Sequence, residues 1–316
     1  MPPHRPQLSP WHRVAPNRDR LLLEHAGECV TFEGRAVTGL LPALLPLLDG
    51  TRTIRELVEA LELPDPAPVD HALALLHEHG LLVEGPPLDA AVPAPFRQTA
   101  RFLAAGPRGR SPAAERSRLA GARIAVHGAG SVAGETARLL LASGVGDVAR
   151  RPVDEGLTAG IPDLVVLAPS PSEQVQLRAW NERALEHGVE WLQVLPWDGA
   201  AVVVGPVFVP GETCCWECYR RRRRSHLDYG DESIALDRVP TRAPCPPGLV
   251  AAVAGMATLL ALRRLLGDPL LAGAAAVLEL GESSRLDIHP VLRVPRCPAC
   301  SYGARTARPM PWAEPS

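Results

Sequence analysis

The chain has 316 residues, with 33 basic and 35 acidic side chains, a net charge of −2 and a hydrophobic fraction of 46%. This length suggests two domains of ~100 to 200 residues, and the balanced charge excludes a chain-wide field for nucleic acid or a membrane surface. Every basic residue is arginine, so a P-loop lysine, a Schiff-base lysine and a lysine clamp on phosphate are all excluded.

Met1 to Pro10 contains no basic segment leading into an apolar one, so no secretory signal is expected and the cytoplasm is the expected compartment. Seven cysteines in that setting read as metal ligands and free thiols rather than disulfides. The longest apolar stretch, Gly248 to Leu262, is 15 residues, short of the ~18 to 20 needed to span a bilayer, and reads as an Ala-rich core helix with no membrane role.

Along the chain, Leu21–Glu24 and Cys29–Phe32 are β-prone runs joined by a turn in which Gly27 can take a positive φ, a hairpin signal. Pro42 and Pro46 limit the apolar run Leu40–Leu48 to a short or kinked helix. Thr53 and Glu56 form a capping box ahead of Ile54, Leu57, Val58 and Leu61, which share one helical face. Asp65-Pro66 starts another helix, whose apolar face is Val69, Ala72, Leu73 and Leu76 and which stops at Gly80. With a returning strand at Leu81–Val83, this amounts to a winged-helix unit within residues 1–90. Prolines 86, 87, 93 and 95 mark a semi-rigid linker, and the domain boundary is placed there.

Past the linker, the strand Arg123–His127 runs directly into Gly128-Ala-Gly130-Ser-Val-Ala133, and a helix is expected over 132–143. This is the βα start of a Rossmann-like sheet. Leu164–Leu167 fits a buried parallel strand. Gly128 and Gly130 could bring a helix N-terminus to a phosphate, with Asp154 at a ribose-binding distance in sequence. Against a working nucleotide site, Pro152 interrupts the would-be strand before Asp154, and Asp163 follows only nine positions after Asp154. A crossover helix needs a dozen or more residues, so a packing role for the glycine turn is the competing reading. The tail 303–316 is expected to fray.

The strongest chemical signal is metal. Cys215-Trp-Glu-Cys218 and Cys297-Pro-Ala-Cys300 can close a tetrahedral structural zinc site that leaves no open position for water. Cys214 competes with Cys215, although pairing it with Cys218 gives a less usual spacing. Cys29 and Cys245 are expected as small buried hydrophobes rather than nucleophiles. The run Arg220–Arg224 reads as a solvated helix face or, alternatively, a dock for an acidic peptide or partner. His71, His77, His79 and His289 read as surface or packing residues. Nucleic acid is not expected as a partner, since no aromatic residues interleave with the arginines; a zinc-stabilised winged-helix DNA binder stands as a third reading.

Four segments, Arg97–Phe102, Arg118–Gly130, Val209–Cys218 and Pro295–Cys300, resemble the ThiF-type, ubiquitin-activating-like superfamily in order and spacing. Residues 1–90, and Leu40–Gly50 in particular, look like a PqqD-like precursor-peptide recognition element. Together they are similar to the ThiF-like leader-peptide-binding proteins of azole-forming clusters, which partner a YcaO-type cyclodehydratase. The resemblance implies an α/β chain: a winged-helix recognition element (1–90), a truncated ThiF-like domain with zinc (91–302) and a flexible tail (303–316). The acidic pair of active superfamily members is reduced to Asp154-Glu155 and their ATP-contacting lysine is absent, which implies a non-catalytic delivery protein without ATP. An ATP-dependent adenylating enzyme acting on a peptide is the alternative. A leader peptide is then expected to add as a strand beside Val30, Thr31 and Phe32, in a groove closed by Val69, Ala72, Leu73 and Leu76. A second copy of the chain is left open as a partner.

Overall fold

A computed structural model of the chain describes all residues except 1, 10, 26, 105–110, 156–159, 196, 231, 237–238, 241–242, 269–271, 281–283 and 302–316. The tail expected to fray, 303–316, thus lies outside the described residues. Contacts divide the chain into Met1–Arg118 and Leu119–Ser316. The four linker prolines therefore lie inside the first unit, and residues 91–118, expected with the second domain, group with the first.

The first unit opens with β1 (Pro6–Leu8), β2 (Arg13–Asn17), β3 (Arg20–His25) and β4 (Glu28–Glu33). Helices α1 (Arg35–Thr38) and α2 (Leu40–Leu44), a 3-10 turn over Leu45–Leu47, α3 (Ile54–Ala60), α4 (Ala67–Glu78), β5 (Leu82–Glu84) and α5 (Ala94–Ala104) follow. Strands β2, β3 and β4 form an antiparallel sheet in that order, while β5 returns to pair with β1. The chain folds this way locally for legible reasons. Gly27 supplies a φ of 86° at the β3–β4 turn, and Pro46 converts the end of α2 into a 3-10 turn. The Thr53–Glu56 box caps α3 in both directions, at 3.3 and 2.7 Å. Leu23, Leu44, Leu57, Val69, Leu73, Leu76 and Leu81 fill the core.

Helix α6 (Pro112–Gly121) leads into β6 (Arg123–His127), α7 (Ser131–Ala142), β7 (Asp147–Arg151) and β8 (Leu164–Leu167). A 3-10 turn over Pro171–Gln176 then precedes α8 (Leu177–His187), β9 (Trp191–Leu195) and β10 (Ala201–Phe208). Next come α9 (Trp216–Arg224), α10 (Ser233–Leu236), α11 (Pro247–Leu265), β11 (Ala274–Leu280) and β12 (Ser284–Pro290). The seven-stranded mixed sheet runs β12-β11-β10-β9-β8-β6-β7. Strands β7, β6, β8 and β9 are parallel, and β9 to β12 are antiparallel. Pro152 directly follows β7, and β7 is an edge strand rather than a central one, which is how the sheet accommodates it.

Helix α11 is long and apolar enough, by length and composition, to cross a membrane. Here it packs against α7 and the strands β8 to β10 through Leu249, Val253, Ala254, Ala257, Thr258, Ala261 and Leu262. On the other side of the sheet sits a core built around Trp180, Trp191 and Phe208, with ring centroids 6.4 and 4.4 Å apart in succession.

Candidate functional site

Four sulfurs converge where α9 begins. Cys215 is the residue that caps α9 and Cys218 lies one turn in, while Cys297 and Cys300 come from the loop after β12. The Sγ separations are 3.8 Å for Cys215–Cys218, 3.7 Å for Cys215–Cys297 and 3.5 Å for Cys218–Cys300, and all four atoms lie within 4.8 Å of one another. A tetrahedral ion ~2.3 Å from each sulfur requires sulfurs about 3.8 Å apart, so the set already has the dimensions of a metal site. The Val294 amide donates to Cys218 Sγ at 3.3 Å. The Cys215 hydrogen bond draws the Cys218 thiol down to about 4, with the Val294 amide assisting and burial opposing. Four sulfur ligands leave no position for water, so such a site is structural. Cys214 is buried but stands outside the cluster, and burial pushes its thiol up to about 12. It is Cys215, not Cys214, that joins the other three sulfurs in the cluster.

The five arginines behind this centre are neither a purely solvated face nor a free dock. Arg220 and Arg221 pair with the buried carboxylate of Glu217 at 3.1 and 2.8 Å, Arg223 meets Asp198 at 3.5 Å, and Arg224 donates to the Gly230 carbonyl at 2.9 Å. Burial raises the Glu217 pKa, but the two guanidiniums outweigh it and hold the carboxyl below its usual range. Arg222 spans to the carbonyls of Leu292 and Arg293 at 2.5 and 3.0 Å. Arg293 in turn donates to Gly211 and Cys300 carbonyls, both at 2.9 Å. These two side chains brace one cysteine loop against the other.

At the glycine turn, Gly128 has φ 139°, and a Cβ there would stand 2.0 Å from the Ala168 carbonyl oxygen. Only glycine lets β6 and the end of β8 approach so closely. A Cβ at Gly130 would make ordinary contact with Ser170 at 3.7 Å. One amide of the turn is already used: Ala129 N–H donates to Glu173 Oε2 at 3.0 Å. The same carboxylate accepts from the Ser170 amide and hydroxyl at 2.8 and 2.7 Å. Burial raises the Glu173 pKa, and these bonds together with the Val153 amide overcome it, leaving the group below its ordinary value. Arg150 adds bonds to the Ala129 and Gly130 carbonyls at 3.2 and 3.4 Å. Asp154 is exposed past β7, with no hydrogen bond or ion pair to the turn among the described residues. The cavity beside the turn, lined by Gly130, Ser131, Ser170, Trp197 and Cys245 among others, holds about 230 Å³, below the ~300 to 1,000 Å³ of usual ligand pockets. Glu173 was not among the expected site residues, yet Ser170-Pro-Ser-Glu173 is a legible capping box.

In the first unit, β4 is an edge strand with Cys29 and Thr31 exposed and Val30 and Phe32 half-buried. The Phe32 ring meets the His79 ring, at the end of α4, edge-on at 5.9 Å. The other expected groove residues are placed differently: Val69, Leu73 and Leu76 are fully buried and Ala72 nearly so. The stripe that identifies α4 as a helix is its core face, which is why these four side chains are buried. The two cysteines expected to be buried, Cys29 and Cys245, are both exposed; one lies on the edge strand, the other at the rim of the cavity.

No family model matches the sequence, and no curated protein matches it. Solved structures do share its fold. A heterocyclase in complex with substrate and cofactor superposes with TM-score 0.71 at 23% identity, covering 95% of this chain and 40% of that one. The heterocyclase TruD gives 0.68 at 26% identity, covering 94% and 43%. The chain thus spans about two fifths of the length of these two heterocyclases. E. coli MccB with ATP gives 0.67 at 13% identity, covering 94% of this chain and 99% of MccB. The α/β fold is thus shared with these heterocyclases and with MccB.

Proposed function

We propose that the chain binds the leader peptide of a ribosomally made precursor and delivers it to a separate YcaO-type cyclodehydratase, without chemistry of its own. In this reading the first unit is a winged-helix, PqqD-like recognition element, the second is a ThiF-like body stapled by zinc at Cys215, Cys218, Cys297 and Cys300, and the complex works in the cytoplasm. The observation that carries it is Glu173 on the Ala129 amide, which sets the protein's own anion at the glycine turn and disfavours a second anion beside it. The open β4 edge supports it further, because an extended peptide can add there by main-chain bonds, with Phe32 and His79 beside it. A body that holds a leader while docked to the enzyme raises the core peptide's effective concentration to the order of mM.

The test is fluorescence polarisation of the full chain with labelled precursor peptides encoded beside its gene, with and without ATP. The reading expects micromolar or tighter binding that ATP leaves unchanged. The adenylating alternative requires Glu173 to vacate the turn, and ATP–pyrophosphate exchange dependent on peptide and magnesium would establish it instead.

A further inference from the structure

His127, the last residue of β6, is fully buried. Its Nδ1 lies 3.0 Å from the Pro152 carbonyl oxygen. A carbonyl can only accept, so the ring proton sits on Nδ1 and Nε2 keeps a bare lone pair. That second nitrogen is buried with no hydrogen-bond partner among the described residues. The ring rests against Trp180 of α8, with centroids 4.6 Å apart.

Pro152 to Glu155 directly follow the edge strand β7, and few bonds hold them to the rest of the unit. His127 takes the Pro152 carbonyl, Arg183 of α8 donates to the Val153 carbonyl at 3.3 Å, and Glu173 accepts from the Val153 amide. The Arg151–Glu155 ion pair closes the segment locally. Val153 is its only core side chain, while Pro152 and Asp154 are exposed. A segment tied down this sparsely can open without the sheet beneath it.

Three charged groups act on the imidazole: Arg151 from β7, Glu155 from the segment itself and Arg183 from α8. On its other side the β8 partner is Leu167, which brings no charge. Burial foremost, with Arg151 and Arg183, holds the ring below its ordinary range, against the Pro152 bond and Glu155. A proton on Nε2 would create a buried N–H without an acceptor beside two guanidiniums, with the one carboxylate already paired to Arg151. Proton uptake therefore favours a state in which the ring reaches water. We infer that His127 is an acid latch: a second ring proton turns the imidazole out to solvent, breaks its bond to Pro152 and releases Pro152–Glu155 while the sheet stays folded. The open state uncovers Trp180 and removes one of the donors to Glu173. The latch is closed above the ordinary imidazole range and opens as pH falls below ~6.5. The device does not depend on the delivery role.

The test is hydrogen exchange of the full chain at pH ~7.5 and ~5.5, with rates corrected for the intrinsic effect of pH. One proton taken up by an exposed imidazole over that interval should lower protection of the Val153 and Glu155 amides by up to about tenfold, with β8 and β9 unchanged. His127→Asn places an amide N–H where Nδ1–H stands, so it should hold the segment equally at both pH values. If that variant fails to fold, by far-UV circular dichroism, the wild-type ring is read directly by NMR of the chain carrying 15N-histidine. His127 should then pass from the Nδ1–H tautomer to the charged form at the midpoint of the exchange transition. Protection that is unchanged at the lower pH overturns the inference, as does a loss that persists in His127→Asn. So does a loss shared by β8 and β9, or a ring that stays neutral while the segment opens.

Discussion

Withdrawing the metal from the four-cysteine centre should lower the thermal midpoint of the Leu119–Ser316 unit by about 10 °C without unfolding it at room temperature. The sulfurs are spaced 3.5 to 3.8 Å apart across the two loops, so binding demands little rearrangement and acts by favouring the folded state over the unfolded one. An ion present at ~1,000 times its dissociation constant contributes about 4 kcal/mol in this way, and a unit of roughly 200 residues shifts its midpoint by ~2 to 4 °C per kcal/mol. The Arg222 and Arg293 bonds across the loops do not depend on the ion and hold the geometry when it leaves. Calorimetry of the full chain before and after chelation, paired with metal analysis, reads the shift, which restored zinc should reverse. Cys297→Ser should copy the chelated state, whereas Cys214→Ser, changing a buried thiol outside the cluster, should retain stoichiometric zinc. Full metal occupancy in Cys297→Ser, or a midpoint that chelation leaves in place, would refute the argument.

Glu173→Ala, which orphans the Ala129 and Ser170 amides, should cost about 1 to 3 kcal/mol in denaturant unfolding. Because the folded pKa of Glu173 lies below its ordinary value, its stabilisation is complete above pH ~4.5 and drains as pH falls through the depressed value; Glu173→Gln should remove that part of the acid dependence. Gly128→Ala forces a side chain onto the Ala168 carbonyl at a positive φ, and a loss of roughly 2 to 4 kcal/mol or failure to fold is expected by the same assay. Arg222→Ala should destabilise the second unit by about 1 to 3 kcal/mol, more after chelation than before, as calorimetry can show. At the β4 edge, of Val30→Pro and Thr31→Pro only the substitution whose amide faces outward should abolish peptide binding while the unit stays folded; equal effects from both would argue against strand addition.

The elements set by local chemistry were legible in the sequence: the Thr53 capping box, the kink at Pro46, the strand–glycine–helix run from Arg123, the four cysteines that cluster. What escaped was set by tertiary placement. Strands β1 and β2 contain Pro6 and Pro16, which demote them on propensity, yet an edge position tolerates both. The burial of Val69, Ala72, Leu73 and Leu76 was not foreseen when they were expected to close a groove, because apolar periodicity identifies the face turned to the core. The arginine run looked like free charge because its partners, Asp198, Glu217, Gly230 and residues 292–293, are mostly distant in sequence. Glu173 was hidden for the same reason: its capping role is local, while its bond to Ala129 spans 44 residues.

A carboxylate fixed in an amide cradle by its own backbone behaves as a tethered competitor. Its concentration at the site is set by covalent geometry, on the order of mM or above, and does not vary with the cell. Any free anion must overcome that constant before it can occupy the turn. Under the proposed delivery role, this would insulate the chain from swings in nucleotide level, its grip on a peptide staying the same whether ATP is plentiful or scarce.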